Sequence, residues 1–309
     1  MMRTSLLWLS AQPRVFSFVR RNGLARKFAA RFVAGDTVDT AVEAVRDLNR
    51  RKITATLDLL GESISQESDA AHARDVYLQM LERIAQTGVD SNVSVKLTQM
   101  GFDVSEDLCF ANMSAILEKA RSVGSFVRID MESSGYTQRT LDFFSKRLFD
   151  RFGGHTGVVI QSCLRRSDRD IDQLIEMRAR VRLCKGAYLE SAEVAYPEKA
   201  DVDKAYVRLM ERLMERGNYP GLATHDQRIL QHARRFAKEK GIESSRYEFQ
   251  MLYGVRRDLQ EQLRGAGHNM RVYVPFGTQW YPYLMRRLAE RPANNAFILG
   301  NVVREAVHL

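Results

Sequence analysis

Eight times along this chain a short apolar, β-branched run is followed by a polar break and then by a longer stretch with helical spacing. The runs are residues 53–60, 93–98, 126–131, 157–161, 181–184, 221–224, 247–252 and 270–274, each of strand length. Between them, stretches such as residues 71–87, 112–123, 139–152 and 203–216 carry apolar side chains three and four apart among many charges, as amphipathic helices do. Strand then helix, repeated eight times, predicts an α/β fold: a closed (βα)8 barrel of parallel strands. Residues 36–50 read as a linker helix ahead of the first strand. The predicted organisation is therefore an N-terminal helical arm over 1–50 and a barrel over 51–309. No linker rich in Gly, Pro or Ser and no low-complexity tract divides the barrel.

The last repeat ends in a helix of unusual composition. Gly277 and Thr278 make a turn, and Pro282 suits the first helical position, where its missing N–H would be unpaired anyway. From there Tyr283, Arg286, Arg287 and Glu290 share one face, while Leu284, Leu288 and Ala289 occupy the other. Two adjacent guanidiniums beside an aromatic plane match a small carboxylate, because each offers a rigid fork of donors. The plainer reading is a solvated basic face with one i, i+3 pair, Arg287 with Glu290.

Function in such barrels collects at the carboxyl ends of the strands. Read in turn, those ends carry Glu62, Lys96, Asp130 with Glu132, Gln161, Arg182 with Lys185, Thr224 with His225 and Asp226, Gln250, and Tyr273. So many polar groups at one rim predict a large polar ligand, since burying them unpaired is costly. Lys185, Gly186, Ala187 and Tyr188 place a bare backbone position beside a lysine, suited either to close approach of a pyrophosphate or to a plain strand-to-loop turn. His225 has no second histidine at ligand spacing, so a structural role is expected of it and metal catalysis is not.

Other classes fit poorly. A doubly wound sheet would want a nucleotide fingerprint after its first strand, and the fragment Gly265, Ala266, Gly267 has Met270 where the third glycine belongs and precedes a strand. Lys and Arg number 47 against 38 Asp and Glu, a net charge of +9, which raises nucleic acid or an anionic membrane surface as partners. The excess is dispersed, and a non-enzymatic RNA-binding barrel has only that charge in its favour. Before Asp36 the chain holds Arg3, Arg14, Arg20, Arg21, Arg26, Lys27 and Arg31 and no acid, which suits a transit peptide, a membrane-surface helix or a basic arm packed on the barrel. Cys109, Cys163 and Cys184 form neither a CxxC pair nor a zinc spacing, pointing to free thiols in a reducing compartment. Apolar runs fall short of the ~20 residues of a membrane span. A cytoplasmic protein is expected, at most peripheral on the inner face of a membrane.

Several stretches taken together resemble a known family. TLDLLGE at residues 56–62, VSVKL at 93–97, RIDME at 128–132, IQSCLRR at 160–166, VRLCKGAY at 181–188, ATHD at 223–226, FQMLYG at 249–254, and YVPFGT followed by YLMRRLAE are similar to proline dehydrogenase, in the right order across nearly the whole barrel. RFVAGDT at 31–37 resembles the family's pre-barrel segment and favours the packed arm over a transit peptide. The short bacterial type is indicated, not the form fused to an aldehyde dehydrogenase.

The resemblance implies a distorted barrel with FAD across the strand ends, oxidising L-proline to Δ1-pyrroline-5-carboxylate and passing electrons to a membrane quinone, ubiquinone or menaquinone. It implies Arg286, Arg287 and Lys96 on the substrate carboxylate, and Tyr273, Tyr283 and Leu252 around the ring, with Tyr188 and Glu290 nearby. Arg182 would lie near the flavin N5 and Gln161 at the pyrimidine edge, with Met131, Lys185, Gly186, Ala187, Thr224 and His225 along the rest of the cofactor. Asp130 would be the active-site carboxylate, orienting Lys96, and Glu62 a gate over the substrate. A separate pyrroline-5-carboxylate dehydrogenase is the expected partner. Alternatives of the same class are a methylenetetrahydrofolate reductase-like barrel, against which the compact carboxylate clamp argues, and a hydroxyproline dehydrogenase, against which Tyr273 argues.

Overall fold

A computed structural model describes residues 29–61 and 63–290, the last five as backbone only, and in it the eight predicted strands close into one ring. They are β1 (Thr54–Leu59), β2 (Ser91–Val95), β3 (Val127–Ile129), β4 (Thr156–Gln161), β5 (Arg180–Cys184), β6 (Gly221–Ala223), β7 (Glu248–Leu252) and β8 (Met270–Phe276). Each pairs in parallel with its sequence neighbour, and β8 returns to β1 with Thr56 opposite Tyr273. This is the (βα)8 barrel that the repeat predicts.

Successive side chains of a strand point to opposite faces. Here Leu57, Val93, Ile129, Val158, Leu183, Phe249 and Val272 are buried in the apolar layer that the strands share with the helices. The alternate positions are polar, and their hydrogen bonds cross the ring: Arg182 of β5 reaches Ser94 of β2, and Tyr273 of β8 reaches Asp130 beyond β3. The interior of the barrel is therefore a hydrogen-bonded core. Its lower layer joins Arg271 to Glu248 (2.9 Å), and Arg128 to the carbonyl of Arg180.

The helices are α1 (Val38–Arg50), α2 (Glu67–Thr87), α3 (Glu106–Ser122), α4 (Ser134–Phe143), α5 (Ser167–Glu176), α6 (Lys199–Arg216), α7 (Gln227–Lys240), α8 (Arg257–Gly265) and α9 (Trp280–Glu290). Several start earlier than apolar spacing predicts. The first turns of α2 and α3 carry Glu67 and Asp69, and Glu106 and Asp107, which favour a helix N-terminus electrostatically while adding nothing to the apolar pattern. α4 runs on to Phe152 through a wider π turn at Phe144–Phe149. α9 opens at Trp280, so Pro282 is its third residue and not its first. That is tolerated because the first-turn N–H groups have no acceptor within the helix.

Thr37 caps α1 in a reciprocal box with Thr40, and Val38, Ala41, Val42, Val45 and Leu48 are buried at three and four spacing. α1 packs on β1, β8 and α2 and shares their apolar core, so the last part of the predicted arm fills the outer layer at the β8–β1 seam. α9 is thereby released from that layer. Its Trp280, Tyr281, Tyr283, Leu284 and Met285 cluster instead with Ala29, Val33 and Leu60, at the carboxyl end of β1. The segment before α1 is tied to the same end: Ala34 N–H donates to Pro275 and Gly277 N–H to Gly35, both at 2.9 Å. Gly254, with φ of 72°, admits the Arg31 carbonyl so closely that a Cβ there would lie 1.8 Å from it. Arg31 is exposed and lies over the Phe32 ring; the other predicted basic residues of the arm fall outside the described residues.

Candidate active site

The carboxyl ends of the strands surround a cavity of about 1990 Å³, roughly twice the upper end of ordinary small-molecule sites. Of the predicted residues, Lys96, Asp130, Met131, Arg182, Lys185, Gly186, Ala187, Tyr188, Thr224, His225, Leu252, Tyr273 and Tyr283 line it. Gln161 lies just outside the lining, buried beneath Gly186. Glu62 and the side chains of Arg286, Arg287 and Glu290 lie outside the described residues, although the α9 backbone continues through the last three.

At the centre stands Asp130, beyond the last residue of β3. Its Oδ1 accepts from Arg182 (2.7 Å) and Ser94 (2.8 Å), and its Oδ2 from the Tyr273 hydroxyl (2.7 Å). Arg182 is further fixed by Nε to Gln250 Oε1 (2.6 Å), and its guanidinium lies 5.2 Å from the centroid of the Tyr273 ring. Arginine suits this position because its charge is permanent and its fork engages three partners at once. Burial, with the charges of Asp130 and Asp58, raises the Tyr273 phenol well above its usual pKa, so it remains a donor.

Asp130 was expected to orient Lys96, and the geometry corrects this. Lys96 Nζ donates at 3.0 Å to Asp58 of β1, a residue that the strand-end reading passed over. β2 lies between β1 and β3, so Lys96 can lean toward either carboxylate, and it leans toward Asp58, while Asp130 accepts from Arg182, Ser94 and Tyr273. Burial pushes the Asp58 carboxyl up to about 6; Lys96 pulls it down, Asp130 pushes it up, and Tyr273 pulls it down.

Lys185 and His225, predicted along the cofactor, are both engaged by the protein itself. Lys185 is engaged by Asp226 (3.0 Å) and Asp203 (2.5 Å), so its charge is balanced within the protein. The Asp226 carboxyl, pushed up by burial, is brought below its ordinary value by Lys185. His225 Nε2 accepts from the backbone N–H of Leu252 (2.9 Å), the structural role expected of it, and joins the ends of β6 and β7.

Two observations bear on a ligand. Gln161 Oε1 and Arg182 Nη2 are buried with no hydrogen-bond partner among the described residues, each a loss of roughly 1–3 kcal/mol unless a bound molecule supplies one. Gly186, with φ of 102°, leaves open a place where a Cβ would stand 2.3 Å from Cys163 Sγ and 2.8 Å from Gln161 Oε1. A bare backbone corner next to an unused acceptor, with an unused guanidinium N–H elsewhere in the same barrel mouth, fits a large ligand carrying both donors and acceptors. All three cysteines are free thiols, and burial pushes the Cys184 thiol up to about 12, keeping it protonated beside the cavity. Among the described residues no helix is long and apolar enough to cross a membrane.

Comparison with known proteins converges on one family. A family model described as proline dehydrogenase matches residues 41–299. Proline dehydrogenase 1 of Bacillus subtilis subsp. natto is 40% identical over 307 residues, 99% of this chain and 100% of that protein. The proline dehydrogenase of Deinococcus radiodurans is 41% identical over 306 residues, 98% of each. Among solved structures, proline utilization A (PutA) from Bdellovibrio bacteriovorus, inactivated by N-propargylglycine, aligns with a TM-score of 0.82 at 25% identity. That alignment covers 97% of this chain but only 39% of the larger one. With the model spanning α1 to beyond α9 and relatives matched almost end to end, this chain belongs to the proline dehydrogenase family, whose members oxidise proline in the first step of its catabolism.

Proposed function

We propose that this chain binds FAD across the strand ends, uses it to oxidise L-proline to Δ1-pyrroline-5-carboxylate, and passes the electrons to a membrane quinone. The family is one of flavoenzymes, and the observation that carries the reading is the Asp130–Arg182–Tyr273 constellation at the cavity, with an unpartnered guanidinium N–H on Arg182 and, separately, an unpartnered Gln161 carbonyl beneath the Gly186 corner. Bound flavin supplies the two-electron acceptor. The chain's own residues select, orient and discharge the substrate.

Arg286, Arg287 and Lys96 would hold the substrate carboxylate, the two arginines following Tyr283 along α9. Tyr273, Tyr283 and Leu252 would wall the ring, with Tyr188 and Glu290 alongside and Glu62 closing over them. The Tyr273 ring is fixed at both ends, by its hydroxyl on Asp130 and by the Arg182 guanidinium over its face, so it gives a rigid wall. Such positioning can contribute several kcal/mol to barrier lowering, of order 7–11 kcal/mol at its best. Arg182 would offer a permanent cation to the bound cofactor, favouring its reduced, anionic form. Gln161, Met131, Lys185, Gly186, Ala187, Thr224 and His225 would hold the cofactor, Lys185 exchanging one of its carboxylates for a phosphate or acting through Asp226. Electron delivery to a quinone would bring this cytoplasmic enzyme to the inner membrane face, with the basic arm as contact. E. coli PutA, of which this chain aligns to 24%, is described as bifunctional; here a separate pyrroline-5-carboxylate dehydrogenase would take the product.

The purified protein is expected to be yellow and to lose its visible flavin band on anaerobic addition of L-proline. A colourless protein, or a band bleached by a reduced nicotinamide and indifferent to proline, would overturn the assignment. Faster bleaching by hydroxyproline than by proline would reassign the substrate. Gly186→Ala is expected to lower the flavin-to-protein ratio after gel filtration by about fivefold or more while the barrel stays folded by circular dichroism. The added Cβ falls where Cys163 and Gln161 stand, in a left-handed backbone that strains any L side chain by roughly 1–3 kcal/mol. Undiminished flavin content would remove this corner from the cofactor site.

A further inference from the structure

Proline reaches the enzyme with a protonated ring nitrogen, and the C5–H bond breaks only if a nitrogen lone pair can form the new C=N bond. One proton must therefore leave the substrate first, and the cavity must take it or conduct it to solvent. The titratable groups facing one another there are Asp58 of β1, Lys96 after β2, Asp130 after β3, Arg182 of β5, Tyr273 of β8 and, behind them, Tyr77 of α2.

These groups are not equivalent. Asp130 carries three hydrogen bonds on its two oxygens, one from the fixed charge of Arg182, so protonating it would break the arrangement that holds Tyr273. Tyr77 and Tyr273 are themselves held protonated, by burial and by the two aspartates. Asp58 differs: its side chain is 1% exposed, its hydrogen-bond donor is Lys96, and Lys96 is 11% exposed toward the cavity. We propose that the Lys96–Asp58 pair receives the proton from the proline ring nitrogen, with Lys96 touching the substrate and Asp58 storing the proton.

Lys96 gives a proton to Asp58 along their 3.0 Å hydrogen bond, leaving a neutral amine and a carboxylic acid. The Lys96 amine then takes one from the substrate nitrogen and is an ammonium again. The net change is substrate ammonium to amine and Asp58 carboxylate to acid, with no charge added to the interior. Because the nitrogen and the carboxylate of proline branch from one carbon, a lysine on the carboxylate is within reach of the nitrogen. Burial raises Asp58 to about 6 against the pull of Lys96, which leaves it ionised in the free enzyme at neutral pH yet ready to be protonated. Below that pH Asp58 already carries its proton, so the sign is definite: kcat/KM falls with acid.

The inference rests on the cavity being a proline site, and the test separates the two. Anaerobic flavin reduction by L-proline is followed in the holoenzyme from roughly pH 5 to roughly pH 10. The wild type should show an acid limb centred near 6. Asp58→Asn should lose that limb and be slower at pH 7 by on the order of 100-fold, the deficit narrowing as alkali supplies proline with a neutral amine. Asp58→Glu should recover most of the rate. Affinity for a ring carboxylate with oxygen in place of the nitrogen should stay within about threefold, since that ligand has no proton to give. A deficit equal at every pH, or a parallel loss of affinity for the oxygen analogue, would make Asp58 only a support for Lys96 and overturn the proposal. If Asp58→Asn fails to fold or to keep its flavin, the wild type decides: reduction without a limb near 6 refutes the proposal alone, and no reduction by proline refutes the substrate reading and the proposal with it.

Discussion

Arg182→Met is expected to slow proline-dependent flavin reduction by on the order of 10³-fold while the barrel remains folded. Methionine keeps the length and the contact with the Tyr273 ring but removes a permanent charge and its forked donors. Loss of one well-placed donor at a developing charge typically costs 10²- to 10³-fold, and Arg182 does more than donate. It holds Asp130 at 2.7 Å, Ser94 at 3.1 Å and Gln250 at 2.6 Å, all within the buried layer of the barrel. Without it Asp130 is left with two neutral donors, Ser94 and Tyr273, and the Tyr273 ring loses the cation on its face. Arg182→Lys should be intermediate, because a single ammonium cannot reach Asp130 and Gln250 together. Stopped-flow reduction with the flavin midpoint potential measured alongside would separate the two effects: a lower potential reports the lost charge, an unchanged potential with slow reduction reports lost orientation. Reduction within tenfold of wild type would show that Arg182 is dispensable to the reaction.

The barrel was legible because its signal is repeated. Eight apolar runs with helical stretches between them place every strand to within a few residues, since a strand needs only its outward side chains to be apolar for the run to be visible. What the runs hid is the inward half of each strand. Buried parallel strands usually read as unbroken apolar segments, whereas Arg128 to Asp130, Glu248 to Gln250 and Arg271 to Tyr273 carry a polar residue at every second position. That alternation was present in the sequence and would have picked out Asp58 inside TATLDL as an inward carboxylate, one residue before the strand's end. Partner choice was less accessible. Lys96 could turn to either neighbouring strand, and only the assembled site, with Asp130 engaged by Arg182 and Tyr273, shows that it turns to Asp58. The clamp of Asp203 and Asp226 on Lys185 joins residues from α6 and from the loop after β6, a pairing that no local pattern encodes. The start of α9 was misplaced because proline marks a first turn, not one residue of it.

The same polar interior makes stability depend on charge pairs far from the substrate. Arg271→Met is expected to destabilise the protein by about 3–5 kcal/mol, the usual result of leaving one member of a buried pair uncompensated. At roughly 2–4 °C per kcal/mol for a chain of this size, Tm should fall by about 10 °C or more. Arg271 Nε serves both oxygens of Glu248 (2.9 and 3.0 Å) and its Nη1 the Ala55 carbonyl (2.6 Å), while Glu248 in turn accepts from Gln250 (2.5 Å), the residue that fixes Arg182. Burial pushes the Glu248 carboxyl up, but Arg271 and Gln250 outweigh it and hold it below its ordinary value. In the wild type that pairing stabilises the fold above the ordinary glutamate range and is lost as pH falls through the lowered value. In the variant burial dominates, so Glu248 binds its proton more readily folded than unfolded, and the deficit should shrink as pH falls toward about 4.5 and shrink further below it as the wild type loses its pairing. Removing the stranded charge as well, in Arg271→Met with Glu248→Leu, should recover part of the loss, because an apolar pair needs no compensation. Urea titrations of both variants at neutral and acid pH measure this directly. A double variant as unstable as the single one, or a deficit that does not change with pH, would mean that Arg271 acts through packing and not through Glu248, and the charged layer beneath Arg182 would then be incidental to how that residue is held.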